Sequence, residues 1–189
     1  CPLPGETPST TYTESKGKVL DSYNAFSPEM AKIAQLFFNG NWIDAQLKKG
    51  KKGGAFAAST VTTAHPYILL NFTDRLTDMM TMAHELGHGV HMYLSTPNGF
   101  LQMDTPMVTA ETASVFGEML VFENILKETT DPKMKLNLIA RKIEDSFATV
   151  FRQRNMTRFE QRLHKARGEE GELSTDRVNQ LWIEENQKM

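Results

Sequence analysis

The feature that most constrains this chain is the run Thr81-Met82-Ala83-His84-Glu85-Leu86-Gly87-His88-Gly89-Val90-His91. His84 and His88 are four residues apart, so on a helix both imidazoles leave one face about a turn apart. That separation suits two nitrogens at ~2.0–2.1 Å from one zinc ion. Glu85, one residue along, is angled toward the neighbouring side, where it can take a proton from an activated water and hand it to a leaving amine. An H-E-x-x-H window also occurs by chance as a charged helix face with two surface histidines. Here the flanks Met79, Met80, Met82, Ala83, Leu86 and Val90 are apolar, which argues for a buried helix. Unpaired His and Glu would be costly there, and a metal ion satisfies them.

A catalytic zinc needs a third protein ligand. His91 shares a face with His84 but stands about 10 Å further along a straight helix, so only a sharp turn at Gly89 would bring it in. The longer H-E-x-x-H-x-x-G-x-x-H pattern fails, since its glycine position is His91 and its last position is Leu94. Better candidates lie in Glu111-Thr-Ala-Ser114-Val-Phe-Gly-Glu118, where two carboxylates share one helical face among small or apolar residues. Glu111 is assigned as the third ligand. Glu118 is assigned as the partner that orients a ligand histidine, and His91 as a supporting or structural residue.

The rest of the chain reads as mostly helical. Pro2, Pro4, Gly5 and Pro8 make residues 1–13 an irregular lead-in. A short helix is expected over 14–25. A second starts at Ser27 as N-cap with Pro28 in the first position. Asn39-Gly40-Asn41 ends it. Lys48, Lys49, Lys51 and Lys52 read as a solvated loop. Residues 55–63 and 66–72 then read as an antiparallel pair of short strands. Thr73 or Asp74 caps the metal-site helix, which runs to about Ser95. Further helices are expected over 106–127, 132–167 and from Ser174 to the end.

Composition excludes several alternatives. A net charge of −2, with 40% hydrophobic and 23% charged residues, gives no basic excess for nucleic acid or an anionic membrane surface. No stretch approaches the ~18–20 apolar residues of a membrane span. Cys1 is the single cysteine, so no intramolecular disulfide forms and a cytoplasmic origin is expected. The chain starts without Met and without a signal-peptide pattern, which fits a fragment or a processed product.

H-E-L-G-H-G-V-H over 84–91 together with A-E-T-A-S-V-F-G-E over 110–118 resembles the oligoendopeptidase F group, related to thimet oligopeptidase. Gly53-Gly54-Ala55-Phe56 and His65-Pro66-Tyr67-Ile68-Leu69-Leu70-Asn71-Phe72 are similar to that group's approach to the active helix. Lys142-Ile-Glu-Asp145 and Arg158-Phe-Glu160 are similar to its long following helix, so nearly the whole chain is covered. The resemblance implies a mainly α fold with a small antiparallel β-sheet, the zincin-type metallopeptidase core. It implies one zinc per chain, ligands His84, His88 and Glu111, general base Glu85, and short unstructured oligopeptides as substrates. It also implies an edge strand that pairs with the substrate backbone, for which residues 55–62 are the candidates, with Gly54, Ala55, Phe56 and Ala57 nearest the site.

The departure from the family pattern lies downstream. The family places a His and several Tyr residues near its C-terminus to stabilise the oxyanion. Here Tyr12, Tyr23, Tyr67 and Tyr93 all precede Glu111, and the one later histidine, His164, reads as structural. The expected organisation is therefore a partial catalytic domain over 1–189. Lead-in and helices occupy 1–50, the β pair 51–73, the zinc-binding helices 74–127 and the long helices 128–189, without the family's N-terminal region or C-terminal His/Tyr segment. Loss of one oxyanion donor typically costs ~100–1,000-fold in rate, so the chain alone is expected to bind zinc but turn over weakly or not at all. Apolar surface around Leu36, Phe37 and Phe38 is expected to be exposed, promoting self-association or pairing with the absent segments. A peptide-binding module without turnover and a purely structural zinc site are the competing readings. The intact Glu85 weighs against the first, and the lack of cysteines near the site weighs against the second.

Overall fold

A computed structural model describes residues 9–188, so the first eight residues of the expected lead-in lie outside the described residues. The chain divides into two compact units, Cys1–Thr130 and Asp131–Met189.

In the first unit, α1 (Tyr12–Phe26) starts from a capping box in which Thr11 and Glu14 satisfy each other's backbone N–H groups. Ser27 ends α1 and caps α2 (Pro28–Asn39), with its hydroxyl accepting from Met30 N and Pro28 in the first turn, as the sequence predicts. Three short strands follow: β1 (Ile43–Asp44), β2 (Phe56–Ala58) and β3 (Tyr67–Leu69). The sheet order is β1-β3-β2. β2 and β3 form the expected antiparallel pair, in the register Phe56↔Leu69, Ala57↔Ile68, Ala58↔Tyr67. The sheet is nonetheless mixed, because β1 adds on parallel to β3, Ile43 beside Ile68. Two residues cannot display a period-2 alternation, so this strand left no mark in the sequence.

α3 (Leu76–Ser95) carries the H-E-x-x-H run, and α4 (Met107–Glu128) carries Glu111 and Glu118. The cap of α3 differs from expectation. Its first turn opens at Arg75, and the carboxylate of Asp78 reaches back to accept from Thr73 N (2.7 Å), Thr73 Oγ1 (2.7 Å) and Arg75 N (3.1 Å). A side chain inside the helix thus does the work expected of Thr73 or Asp74. A 3₁₀ turn over Thr96–Asn98 closes α3 where Pro97 and Gly99 break the pattern.

The core sits between α1, α2, α3, α4 and the sheet, and includes Val19, Tyr23, Phe37, Ile68, Met82 and Leu86. Phe37 is fully buried, which corrects the expected exposed patch. Its ring lies against Gly89 of α3, so the helical stripe of α2 faces inward there and only Leu36 is exposed. Lys51 is a second correction to the surface reading. Its ammonium donates to the carbonyls of Asp44 and Gln46, both at 2.9 Å, and its side chain is only 7% exposed.

The second unit pairs α5 (Pro132–Glu170), capped by Asp131, with α6 (Thr175–Asn186), capped by Ser174 where the last helix is expected to begin. The carboxylate of Glu185, wholly buried, accepts from Arg158, Arg162 and Lys188. His164 is exposed and faces Glu160 on the same helix. No helix among the described residues is long and apolar enough to cross a membrane.

Candidate metal centre

The site is built where α3 crosses α4. Close approach of the two helices depends on glycines that face backbone. A Cβ on Gly87 would stand 2.6 Å from the Ala113 carbonyl oxygen and 2.8 Å from Ser114 Cα. One on Gly117 would press on the Tyr23 hydroxyl and on the Ala83 carbonyl. Tyr23, buried in α1, donates from that hydroxyl to the Ala83 carbonyl at 2.6 Å, one residue before His84. Burial and the nearby Glu118 push its phenol well above the usual range, so it stays a donor.

This crossing brings His84, His88 and Glu111 together, one ligand atom from each lying within 4.8 Å of the others. His84 Nε2 is 3.4 Å and His88 Nε2 is 3.6 Å from Glu111 Oε2. Neighbouring ligands of a tetrahedral ion with bonds of ~2.0–2.1 Å stand roughly 3.3 Å apart, so the set fits a zinc-sized cation. Ser114 Oγ donates to Glu111 Oε2 at 3.0 Å and steadies the half-exposed carboxylate. Behind His84, Glu118 Oε2 faces Nδ1 at 3.4 Å. A carboxylate there can accept from Nδ1, while Nε2 faces Glu111.

Charge favours a cation here as well. Three carboxylates, Glu85, Glu111 and Glu118, surround two imidazoles. The hydrogen bond to Glu118 pushes His84 above the usual imidazole value. Burial pushes His88 down, assisted by the charge of His84. Glu85 is 6% exposed, and its Oε2 has no hydrogen-bond partner among the described residues. Burial pushes its carboxyl above the usual range, with the backbone N–H of Ala57 in β2 acting the other way.

His91 does not join this group. α3 continues unbroken through Gly89, and His91 lines a separate cleft with Phe26, Met30, Leu94 and Phe116. Gly54 and Ala55 lead into β2, and Phe56 and Ala57 lie within it, at an edge of the sheet. Two residues with a part in this architecture escaped the sequence reading, Tyr23 and Ser114. Tyr23 looked like one more apolar helix position. Ser114 had a local signal, since it lies three residues after Glu111 on the same helix.

The chain is similar to known proteins over nearly its whole length. The chain is 32% identical over 178 residues to the chromosomal oligoendopeptidase F of Lactococcus lactis subsp. cremoris, covering 94% of this chain and 29% of that protein. It is 30% identical over 181 residues to the group B oligopeptidase PepB of Streptococcus agalactiae, covering 95% of this chain and 30% of that one. A crystal structure described as a peptidase of Chlamydophila abortus superimposes with a TM-score of 0.73 at 28% identity, over 95% of this chain and 30% of that chain. The chain thus spans under a third of the length of the relatives it matches. The profile of Peptidase family M3 matches residues 15–189, and the chain belongs to that family.

Proposed function

We propose that this chain carries the metal-binding and proton-transferring core of a zinc-dependent endopeptidase acting on oligopeptides. The observation that carries the reading is the convergence of His84 and His88 Nε2 on Glu111 Oε2, with the Glu85 carboxyl buried alongside. Zinc held by His84, His88 and Glu111 would polarise the scissile carbonyl and acidify a water. Glu85 is the general base. A carboxyl raised by burial can accept the proton of the attacking water and then release it to the leaving amine. Glu118 holds His84 in the ligating tautomer, and His91 plays a supporting part in packing. The outer edge of β2, from Gly54 to Ala57, is the surface on which an extended substrate backbone adds by strand pairing. A cytoplasmic setting and self-association through exposed apolar faces belong to the same reading.

Zinc stoichiometry after exhaustive dialysis tests the centre. One zinc per chain is expected, lost or loosened in Glu111→Ala. A wild-type-like zinc content in Glu111→Ala would remove Glu111 from the ligand set. Glu85→Gln should keep the metal and abolish any peptide cleavage, including that of the longer enzyme. Cleavage surviving in Glu85→Gln would sink the general-base assignment.

A second reading, in which the chain binds peptides but turns them over weakly or not at all, is separated from the first by parallel binding and cleavage assays on one peptide.

A further inference from the structure

The loop that delivers β2 to the site has little packing to hold it. Gly50, Gly53 and Gly54 fall within five residues, Gly50 and Gly54 both at φ +82°, and a Cβ on any of the three would meet nothing within 4 Å. A cleft of about 350 Å³, lined in part by Gly54, Ala55, Asn71 and Phe72, opens beside the turn. Side-chain hydrogen bonds do the holding instead. At one end Lys51 ties the loop back to Asp44 and Gln46. At the other, a single side chain reaches across.

That side chain is Asn71. The β2–β3 ladder stops at Phe56↔Leu69. Continued in the same register, Asn71 would stand opposite Gly54. The backbone of this stretch is committed to the other side, with Leu70 N donating to Asp44 O at 2.8 Å and Phe72 N to Ala45 O at 3.1 Å. The Asn71 amide takes over where the ladder ends. Its Nδ2 donates to the Gly54 carbonyl at 2.8 Å and to the Lys52 carbonyl at 2.9 Å. Both amide protons are used, and both acceptors lie within four residues of the start of β2.

We propose that Asn71 is the positioning residue of the edge strand: its amide clamps the turn over Lys52–Gly54 and so sets where Phe56–Ala58 stands beside Glu85 for an extended peptide to pair with. The inference rests on the reading above of β2 as the substrate-pairing strand. Asn71 acts through β2 and touches neither the metal ligands nor the reacting atoms.

Asn71→Asp keeps the size and removes the donors, placing a carboxylate against two carbonyl oxygens. Asn71→Ala removes the group with less disturbance and serves if the first variant folds poorly. Two readouts are taken on the full chain in a Glu85→Gln background that prevents cleavage. One is amide hydrogen exchange by mass spectrometry, and the other is anisotropy of a fluorescein-labelled unstructured nonapeptide. With two hydrogen bonds lost, exchange across residues 53–58 should rise roughly tenfold or more while α3 exchange and zinc content stay unchanged. The peptide Kd should rise about fivefold or more, since an unfixed strand must be ordered on binding. Unchanged exchange across 53–58 in both variants would overturn the clamp. Faster exchange with unchanged peptide affinity would overturn its role in substrate binding. If the parent itself bound no peptide, the strand-pairing reading would fall with the substrate half of the inference, and the exchange data would still decide the clamp.

Discussion

At the scale of single residues, the metal site depends on side chains that are missing as much as on those present. Gly87 costs α3 about 1 kcal/mol in helix propensity relative to Ala. In return, α4 comes close enough for Glu111 to meet His84 and His88. Gly87→Ala should destabilise the chain by about 1–3 kcal/mol, because the atoms its Cβ would meet are backbone and cannot rotate aside. The same variant should weaken zinc binding, since relief of the clash moves Glu111 away from the histidines. Denaturant titration together with metal titration checks both. Full stability with full zinc affinity would show that the crossing has slack. Tyr23→Phe is a milder probe. It loses the bond to the Ala83 carbonyl, which keeps its place in the helix, so the cost should be near 1 kcal/mol in urea unfolding. These two positions also mark the limit of sequence reading. The histidines, Glu85 and their spacing were visible because helical geometry is local. Nothing local distinguishes a glycine that admits another helix from one that merely weakens its own.

At the scale of elements, α3 and α4 present one half-site each, and an ion bound there would tie them. Metal should therefore stabilise the pair by mass action, raising the melting temperature in proportion to the logarithm of free zinc above its dissociation constant. Chelation should reverse the shift. A melting temperature indifferent to both would count against a preformed site. Glu118→Gln tests the support behind His84, keeping the shape and losing the charge. Zinc affinity should fall about 10–100-fold with far-ultraviolet circular dichroism unchanged. Helix ends were legible where a side chain caps its own first turn, as at Ser27 and Ser174. The start of α3 was not, because Asp78 reaches backwards from inside the helix to Thr73 and Arg75.

For the molecule as a whole, exposed apolar side chains occur in both units, among them Phe100, Leu101 and Val108 in the first. α5 exposes Leu136, Ile139, Ile143, Phe147, Val150 and Phe151 at helical spacing, Phe147 at 60% and Val150 at 65%. Apolar stripes of this kind drive association in water. Light scattering should find the chain larger than a monomer at micromolar concentration, and the double change Phe147→Lys with Val150→Lys should reduce the mass. A clean monomer before the change would show that the stripe is tolerated in solvent. The sequence reading expected exposed apolar faces and included one on α2 around Phe37, which is buried. Periodicity shows that a helix has an apolar face, and Phe37 on α2 and Phe147 on α5 look alike by that measure. Only the presence of Gly89 and Trp42 against one of them tells them apart.

The sequence by itself determined the helical content and most helix ends and singled out the pair His84 and His88 with Glu85, because each depends on residues within a turn or two of one another. It also nominated Glu111 and Glu118 by their shared face. The tertiary structure set the distances at which Glu111 meets the histidines and Glu118 stands behind His84. It added β1 to the sheet, buried Lys51 against Asp44 and set Asn71 across from Gly54. Those outcomes depend on atoms brought together from distant parts of the chain, where close packing selects partners that no spacing rule records.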